Sequence, residues 1–317
     1  MSQKPRRLSF GRKPADGPQA EADGIAWTLP RRRSLIRRVR PVVRLLLVLP
    51  WTLLCGVAQT TALLLRMRGV AVPRLYWRGM CAILGLRQRV IGTPAHATAG
   101  GRPVVYVSNH SSWLDILVLG AHLDAAFVAK EEVATWPVIR TIARLGRTTY
   151  VRRQRNSTAR ERDEMRARLA AGDSLILFPE GTTSDGARVL PFRSAFLSIA
   201  ELPATSDGTP PIVQPVSIVY DRLAGLPVGR ATRPIFAWYG DMEIASHYWD
   251  LAQHGGMRAS VLLHPPLDPR DFPDRKSLTQ AVWRASAQGA ALLRQNRPAP
   301  APAPAAPAGA APSPAIA

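Results

Sequence analysis

From Leu45 to Leu65 the chain reads LLLVLPWTLLCGVAQTTALLL, 21 residues without one charged side chain. As a helix rising ~1.5 Å per residue, this run reaches ~31 Å, about one hydrocarbon core. A buried core helix is rarely so uniform. A cleavable signal peptide does not fit either, because a long polar stretch precedes the run and the run itself is too long. Arginines flank it on both sides (Arg37, Arg38, Arg40 and Arg44 before; Arg66, Arg68, Arg74 and Arg78 after), so charge bias sets no orientation. Pro50 and Gln59-Thr60-Thr61 interrupt the run, and Pro73 to Leu86 forms a short amphipathic segment carrying Tyr76 and Trp77. Together these features predict a helical hairpin over 41–88 that dips into one leaflet and returns, a monotopic anchor.

The rest of the chain is not membrane-like. Apolar residues make up 46% and charged residues 20% of 317, which excludes a mostly disordered chain and a polytopic membrane protein. The net charge of +20 favours an acidic partner, either nucleic acid, anionic lipid or a phosphorylated substrate. Only 4 of the 42 basic residues are lysine, and such an arginine excess also follows from genome base composition, so the charge alone decides little. Cys55 and Cys81 cannot build a disulfide framework and point to a reducing compartment. Residues 1–40, with Arg31-Arg32-Arg33, are expected to be a disordered basic arm. The stretch 298–317, with 10 Ala and 7 Pro, is expected to be a disordered tail.

Between 89 and 297 the pattern is α/β. Strands are expected at VVYVS (104–108), AFVAK (126–130), SLILFP (174–179), PIVQPVSIVY (211–220), PIFAWY (234–239) and ASVLLHPP (259–266). Helical spacing falls between them, notably from Ser157 to Ala171 and from Ser277 to Asn296. The expected fold is a mixed, largely parallel sheet flanked by helices on both faces. There is no internal repeat, Walker A loop, GxGxxG, HExxH or GxSxG, which counts against a nucleotide motor, a dehydrogenase, a zinc protease and an α/β-hydrolase.

Two segments carry chemistry. The first is SNHSSWLD (108–115), directly after a strand. His110 and Asp115 are five apart, so on one continuous helix they would point in different directions. If His110 sits in a turn, and Ser111 or Ser112 caps a helix with Asp115 in its first turn, the carboxylate can swing back to the imidazole. That is a general base with its orienting group. The bland reading is a histidine that only hydrogen-bonds within a turn. The second is LFPEGTTSDG (177–186), a strand end followed by Glu180, Gly181 and Thr182, where a glycine turn and several hydroxyls and amides suit an anion. Taken alone, it is an ordinary polar loop. The remaining histidines (His96, His122, His247, His254, His264) have no metal-ligand spacing and read as structural or surface residues.

The two segments in this order resemble the glycerolipid acyltransferase family, whose best-known bacterial branch acylates 1-acylglycerol-3-phosphate. Further landmarks follow in sequence. AKEEV (129–133) resembles the family's lysine segment around Lys130, and GRTTYVRR (146–153) its arginine motif, with Arg153 as the motif arginine and Arg152 where an acidic or small residue is common. PFRSAF (191–196) places Arg193 where a lysine is frequent, and IVQPV (212–216) matches the fourth motif with Pro215 as its proline.

The resemblance implies a glycerol-3-phosphate acyltransferase-like fold. It implies an enzyme in which His110 takes a proton from a lysolipid hydroxyl, Asp115 orients it, and the hydroxyl attacks the thioester of acyl-CoA or acyl carrier protein. It further implies an acceptor pocket of Arg153, Glu180, Gly181, Thr182 and Arg193, with Glu180 holding an arginine or a glycerol hydroxyl. No metal or cofactor is implied beyond the acyl-carrier co-substrate. The expected partners are a lysophospholipid, the acyl carrier and membrane lipids, not nucleic acid. The expected place is the cytoplasmic membrane, with the catalytic domain on its cytoplasmic face. The expected acceptor is 1-acylglycerol-3-phosphate, and the alternative is another lysolipid such as lyso-ornithine lipid. A basic nucleic-acid-binding or scaffold protein is the rival from another class; it would need basic residues interleaved with aromatics in one domain, whereas here the arginines are spread throughout.

Overall fold

The computed structural model describes residues 35–65, 71–97, 101–130, 149–151, 158–205 and 207–297. Residues 1–34, Arg152, Arg153 and the tail from Pro298 lie outside the described residues, as does the side chain of Lys130.

Helix α1 (Leu35–Leu64) is 30 residues long and apolar enough to cross a membrane. Leu46, Leu49, Leu53, Val57 and Leu64 are each more than half exposed, so its outer face has no protein partner among the described residues. Helix α2 (Ala71–Leu84) returns antiparallel to it. Trp51 Nε1 donates to the Tyr76 carbonyl at 3.1 Å, Thr52 Oγ1 lies 3.3 Å from the Tyr76 hydroxyl, and Arg44 packs against Gly85.

The helix starts earlier than the sequence implied, so residues 35–40 are not part of an arm. Arg40, and Arg44 one turn further on, have a structural task. Arg44 Nη1 donates to the carbonyls of Ala252 and His254, both at 2.8 Å, and Arg40 Nη1 to Gln253 at 3.0 Å. These are orphan carbonyls at the end of helix Ile244–Ala252, where a cation also complements the helix dipole.

Beyond the hairpin come β1 (Leu86–Ile91), β2 (Val104–Ser108), α3 (Leu114–His122), β3 (Ala126–Lys130), β4 (Thr149–Val151), α4 (Thr158–Ala170), β5 (Leu175–Leu177), β6 (Ile212–Leu223), β7 (Leu226–Pro227), α5 (Ile244–Ala252), β8 (Met257–Leu263) and α6 (Arg275–Arg294). The sheet order is β1-β8-β6-β2-β5-β3-β4, with β7 paired to β6. Pairing is parallel except where β6 meets β8 and β7, which gives the mixed, largely parallel sheet expected. Strands β2 and β5 are wholly buried apolar runs, as strands covered on both faces must be. Asp274 and Ser277 close a reciprocal capping box at the start of α6.

Two expectations fail. PIFAWY (234–239) is not a strand: Pro234 opens a 3-10 turn (Arg233–Ile235), and Phe236 stacks on Tyr220 at 5.0 Å. Strand β1 begins inside the segment expected as anchor, and its exposed Arg87 and Arg89 disguise a strand that pairs parallel with β8.

Helix α3 links hairpin to sheet. A Cβ on Gly120 would overlap the buried Trp77 ring of α2, and Arg78 Nε donates to the Ala121 carbonyl at 2.9 Å. The hairpin therefore packs directly on the helix that carries Asp115.

Candidate active site

Strands β2 and β5 are parallel neighbours, with Val107 opposite Leu177. Their carboxyl ends are level, so the loops that follow lie side by side, at the edge where open α/β sheets place their ligands. The pairing brings the two sequence segments together: His110 N–H donates to Glu180 Oε1 at 3.0 Å, and Ser184 N–H donates to the His110 carbonyl at 2.9 Å.

His110 and Asp115 meet as the spacing required, at 2.8 Å between Nδ1 and Oδ2. Ser112 Oγ accepts the Leu114 N–H at 3.4 Å where α3 begins, but the shorter bonds run the other way. Asp115, in the first turn of α3, reaches back and accepts the N–H groups of Ser111 at 2.7 Å and Ser112 at 3.0 Å. The other carboxylate oxygen accepts from the Tyr220 hydroxyl at 2.6 Å. Asp115 is 0% exposed, so these donors replace the water that would otherwise hold its charge.

A carboxylate accepts, so His110 Nδ1 carries the proton and Nε2 presents its lone pair. Nε2 has no hydrogen-bond partner among the described residues, and the side chain is 17% exposed. The ring stacks on Phe178 with centroids 4.0 Å apart. An imidazole fixed on one edge by a carboxylate and on one face by an aromatic ring can take a proton from a hydroxyl delivered to Nε2.

Glu180 is 2% exposed. Burial raises its carboxyl to about 8, against backbone hydrogen bonds from His110 and Leu190 and with help from the nearby Asp115 charge. Its Oε2 is buried without a partner. Among the described residues it makes no hydrogen bond or ion pair to an arginine; it accepts the His110 N–H and so braces the histidine loop. Arg193 is exposed and its guanidinium lies over Gly181, 3.5 Å from where a Cβ would stand. Thr182 is exposed beside it. Pro215 is buried inside β6 opposite Val107, its carbonyl accepting from His264 N–H at 3.0 Å.

Three contributors escaped the sequence reading. Tyr220 shares one face of β6 with Val216 and Ile218, and that period-2 spacing is the signal that points it to the sheet face covered by α3. Asn109 pairs its side-chain amide with both backbone groups of Ile218, at 2.8 and 3.0 Å, locking the His110 turn to β6. Phe178 is legible only as the aromatic before Pro179.

A family model described as Acyltransferase matches residues 88–219. A lyso-ornithine lipid O-acyltransferase of Brucella abortus (strain 2308) is 39% identical over 229 residues, covering 71% of this chain and 84% of that protein. A 1-acyl-sn-glycerol-3-phosphate acyltransferase of Neisseria meningitidis serogroup B (strain ATCC BAA-335 / MC58) is 35% identical over 126 residues, covering 39% of this chain and 48% of the relative. The crystal structure of the 1-acyl-sn-glycerophosphate acyltransferase PlsC from Thermotoga maritima superposes with a TM-score of 0.52 at 25% identity, covering 80% of this chain and 98% of that one. The chain belongs to the glycerolipid acyltransferase family, and it is an enzyme that acylates lysolipids.

Proposed function

We propose that this enzyme transfers an acyl group from acyl-CoA or acyl carrier protein to the free hydroxyl of lyso-ornithine lipid. The observation that carries this reading is the reach of the sequence match: of the two sequence relatives, the one named for lyso-ornithine lipid matches 71% of this chain at 39% identity, the one named for 1-acylglycerol-3-phosphate only 39% of it. The phosphate acceptor expected first from the sequence therefore becomes the second reading.

In the proposed mechanism His110 Nε2 accepts the proton of the acceptor hydroxyl as its oxygen bonds to the thioester carbonyl carbon. The buried Asp115 stabilises the imidazolium that forms, as positioned acid–base pairs do. The tetrahedral intermediate expels the carrier thiolate, which takes the proton from Nε2. The ester is formed, the thiol is released, and no covalent acyl-enzyme intervenes. The exposed apolar face of α1 supports work at a membrane surface, where both acyl chains reside, and we place the catalytic domain on the cytoplasmic face, where acyl carriers are made.

The test is acyl transfer by the purified full-length protein, with lyso-ornithine lipid and lysophosphatidic acid offered separately and His110→Ala as control. Selective use of lyso-ornithine lipid, lost about 10²- to 10⁴-fold in the variant, is expected. Selective use of lysophosphatidic acid would overturn the acceptor, and near-normal turnover by His110→Ala would overturn the base.

A further inference from the structure

Behind the catalytic turn a narrow cleft opens between the end of β6, the 184–188 loop and the last turn of α6. Asn109 and Ser111, the two neighbours of His110, line it together with Tyr220, the partner of Asp115. Three arginines converge on the same cleft, Arg188, Arg233 and Arg294. They come from three separate parts of the chain.

Their charges are poorly matched within the protein. Arg188 and Arg233 make no side-chain hydrogen bond or ion pair among the described residues, and Arg294 makes one long contact, Nη1 to the Gly186 carbonyl at 3.4 Å. Asp221 lines the cleft but is held by the Arg258 guanidinium, at 3.0 and 2.5 Å, and by Ser260 at 3.0 Å. Asp185 is within electrostatic reach of Arg294 and offsets one charge. Arg294 is half-buried, and both burial and the neighbouring Arg233 charge work against its protonated form. A helix C-terminus accounts for Arg294. It does not account for Arg233, brought beside it by a turn from another part of the chain. Gly186 forms part of the wall: its φ of +71° turns the loop there, and a Cβ would stand at ordinary contact from both sides, 3.4 Å from Arg233 Cδ and 3.7 Å from Ser111 Cβ, so the loop draws Arg233 up to the catalytic turn. Clustered guanidinium groups with spare donors are a receptor for an oxyanion.

We propose that this arginine cleft binds the anionic group of the acceptor headgroup, the ornithine carboxylate, and so sets the acceptor hydroxyl against His110. The inference rests on the lyso-ornithine reading above. The acyl carrier is the weaker source of an anion here: its thioester and its nearest phosphate are separated by the whole pantetheine arm, whereas this cleft shares residues with the catalytic turn.

The experiment compares lyso-ornithine lipid with its carboxamide analogue, using full-length protein in mixed micelles. The wild type is expected to show a KM about tenfold to a hundredfold higher for the carboxamide. Arg233→Gln and Arg294→Gln should raise the KM for the carboxylate acceptor to a similar degree, leave the carboxamide KM unchanged, and leave kcat and the donor KM as they are. Arg188→Gln, at an exposed position, serves if a half-buried variant fails to fold. Variants that still discriminate between the two acceptors overturn the subsite, and so does a rise in donor KM alone. If the wild type ignores lyso-ornithine lipid and uses lysophosphatidic acid, the proposed function fails on its own; an unchanged lysophosphatidic acid KM in the arginine variants would then sink the subsite as well.

Discussion

The Tyr220 hydroxyl donates to Asp115 at 2.6 Å, from a strand 105 residues further along the chain, and is, among the described residues, the one side-chain donor on the carboxylate oxygen that faces away from His110. Asp115 is thus held on both oxygens, and its grip on the imidazole depends on a residue outside the local turn.

Tyr220→Phe removes that donor and little volume. We expect kcat to fall about tenfold to a hundredfold with acceptor KM unchanged, since a hydrogen bond to a charged group is lost. A kcat within about twofold of the wild type would mean that Tyr220 only packs.

Glu180 predicts a pH-dependent stability. Its carboxyl is raised from 4.5 to about 8, so the folded protein keeps a proton that the unfolded chain releases. Stability therefore falls as pH climbs from about 4.5 to about 8, and levels off above. Glu180→Gln keeps the acceptor for His110 N–H and abolishes the titration. Thermal melts of wild type and variant across this range should converge at low pH and separate at high pH, with the variant the more stable there; parallel curves would show that Glu180 is ionised in the fold.

Gly120→Ala should destabilise the protein by about 1–3 kcal/mol, because the added methyl meets a buried Trp77 ring with nowhere to go. Trp77→Leu in the same chain should restore part of the loss. An unchanged melting temperature in the single variant would place the hairpin further from α3 than described here.

Much of this was legible in the sequence, for reasons that can be named. The buried parallel strands read as short apolar runs because both faces of β2 and β5 are covered. His110 and Asp115 were legible because their pairing is local, made within one turn. The bond from His110 N–H to Glu180 was not legible, since contact between loops 70 residues apart depends on which strands are neighbours. Tyr220 was hidden for the same reason. PIFAWY misled because a row of apolar residues over a strand end looks like a strand. Arg40 and Arg44 read only as charges flanking the apolar run, because nothing local reveals that the carbonyls of a distant helix end need them.

Arg44 grips α5, and Trp77 lies in the notch at Gly120 on the helix of Asp115. Anchor and catalyst are therefore one rigid piece, without a tether between them. With the hairpin seated in a bilayer, such an enzyme has no stroke by which to rise and sample dissolved monomers. Its turnover should then follow the two-dimensional density of acceptor in the surface it occupies, and diluting that surface with inert lipid should slow it even at constant bulk concentration.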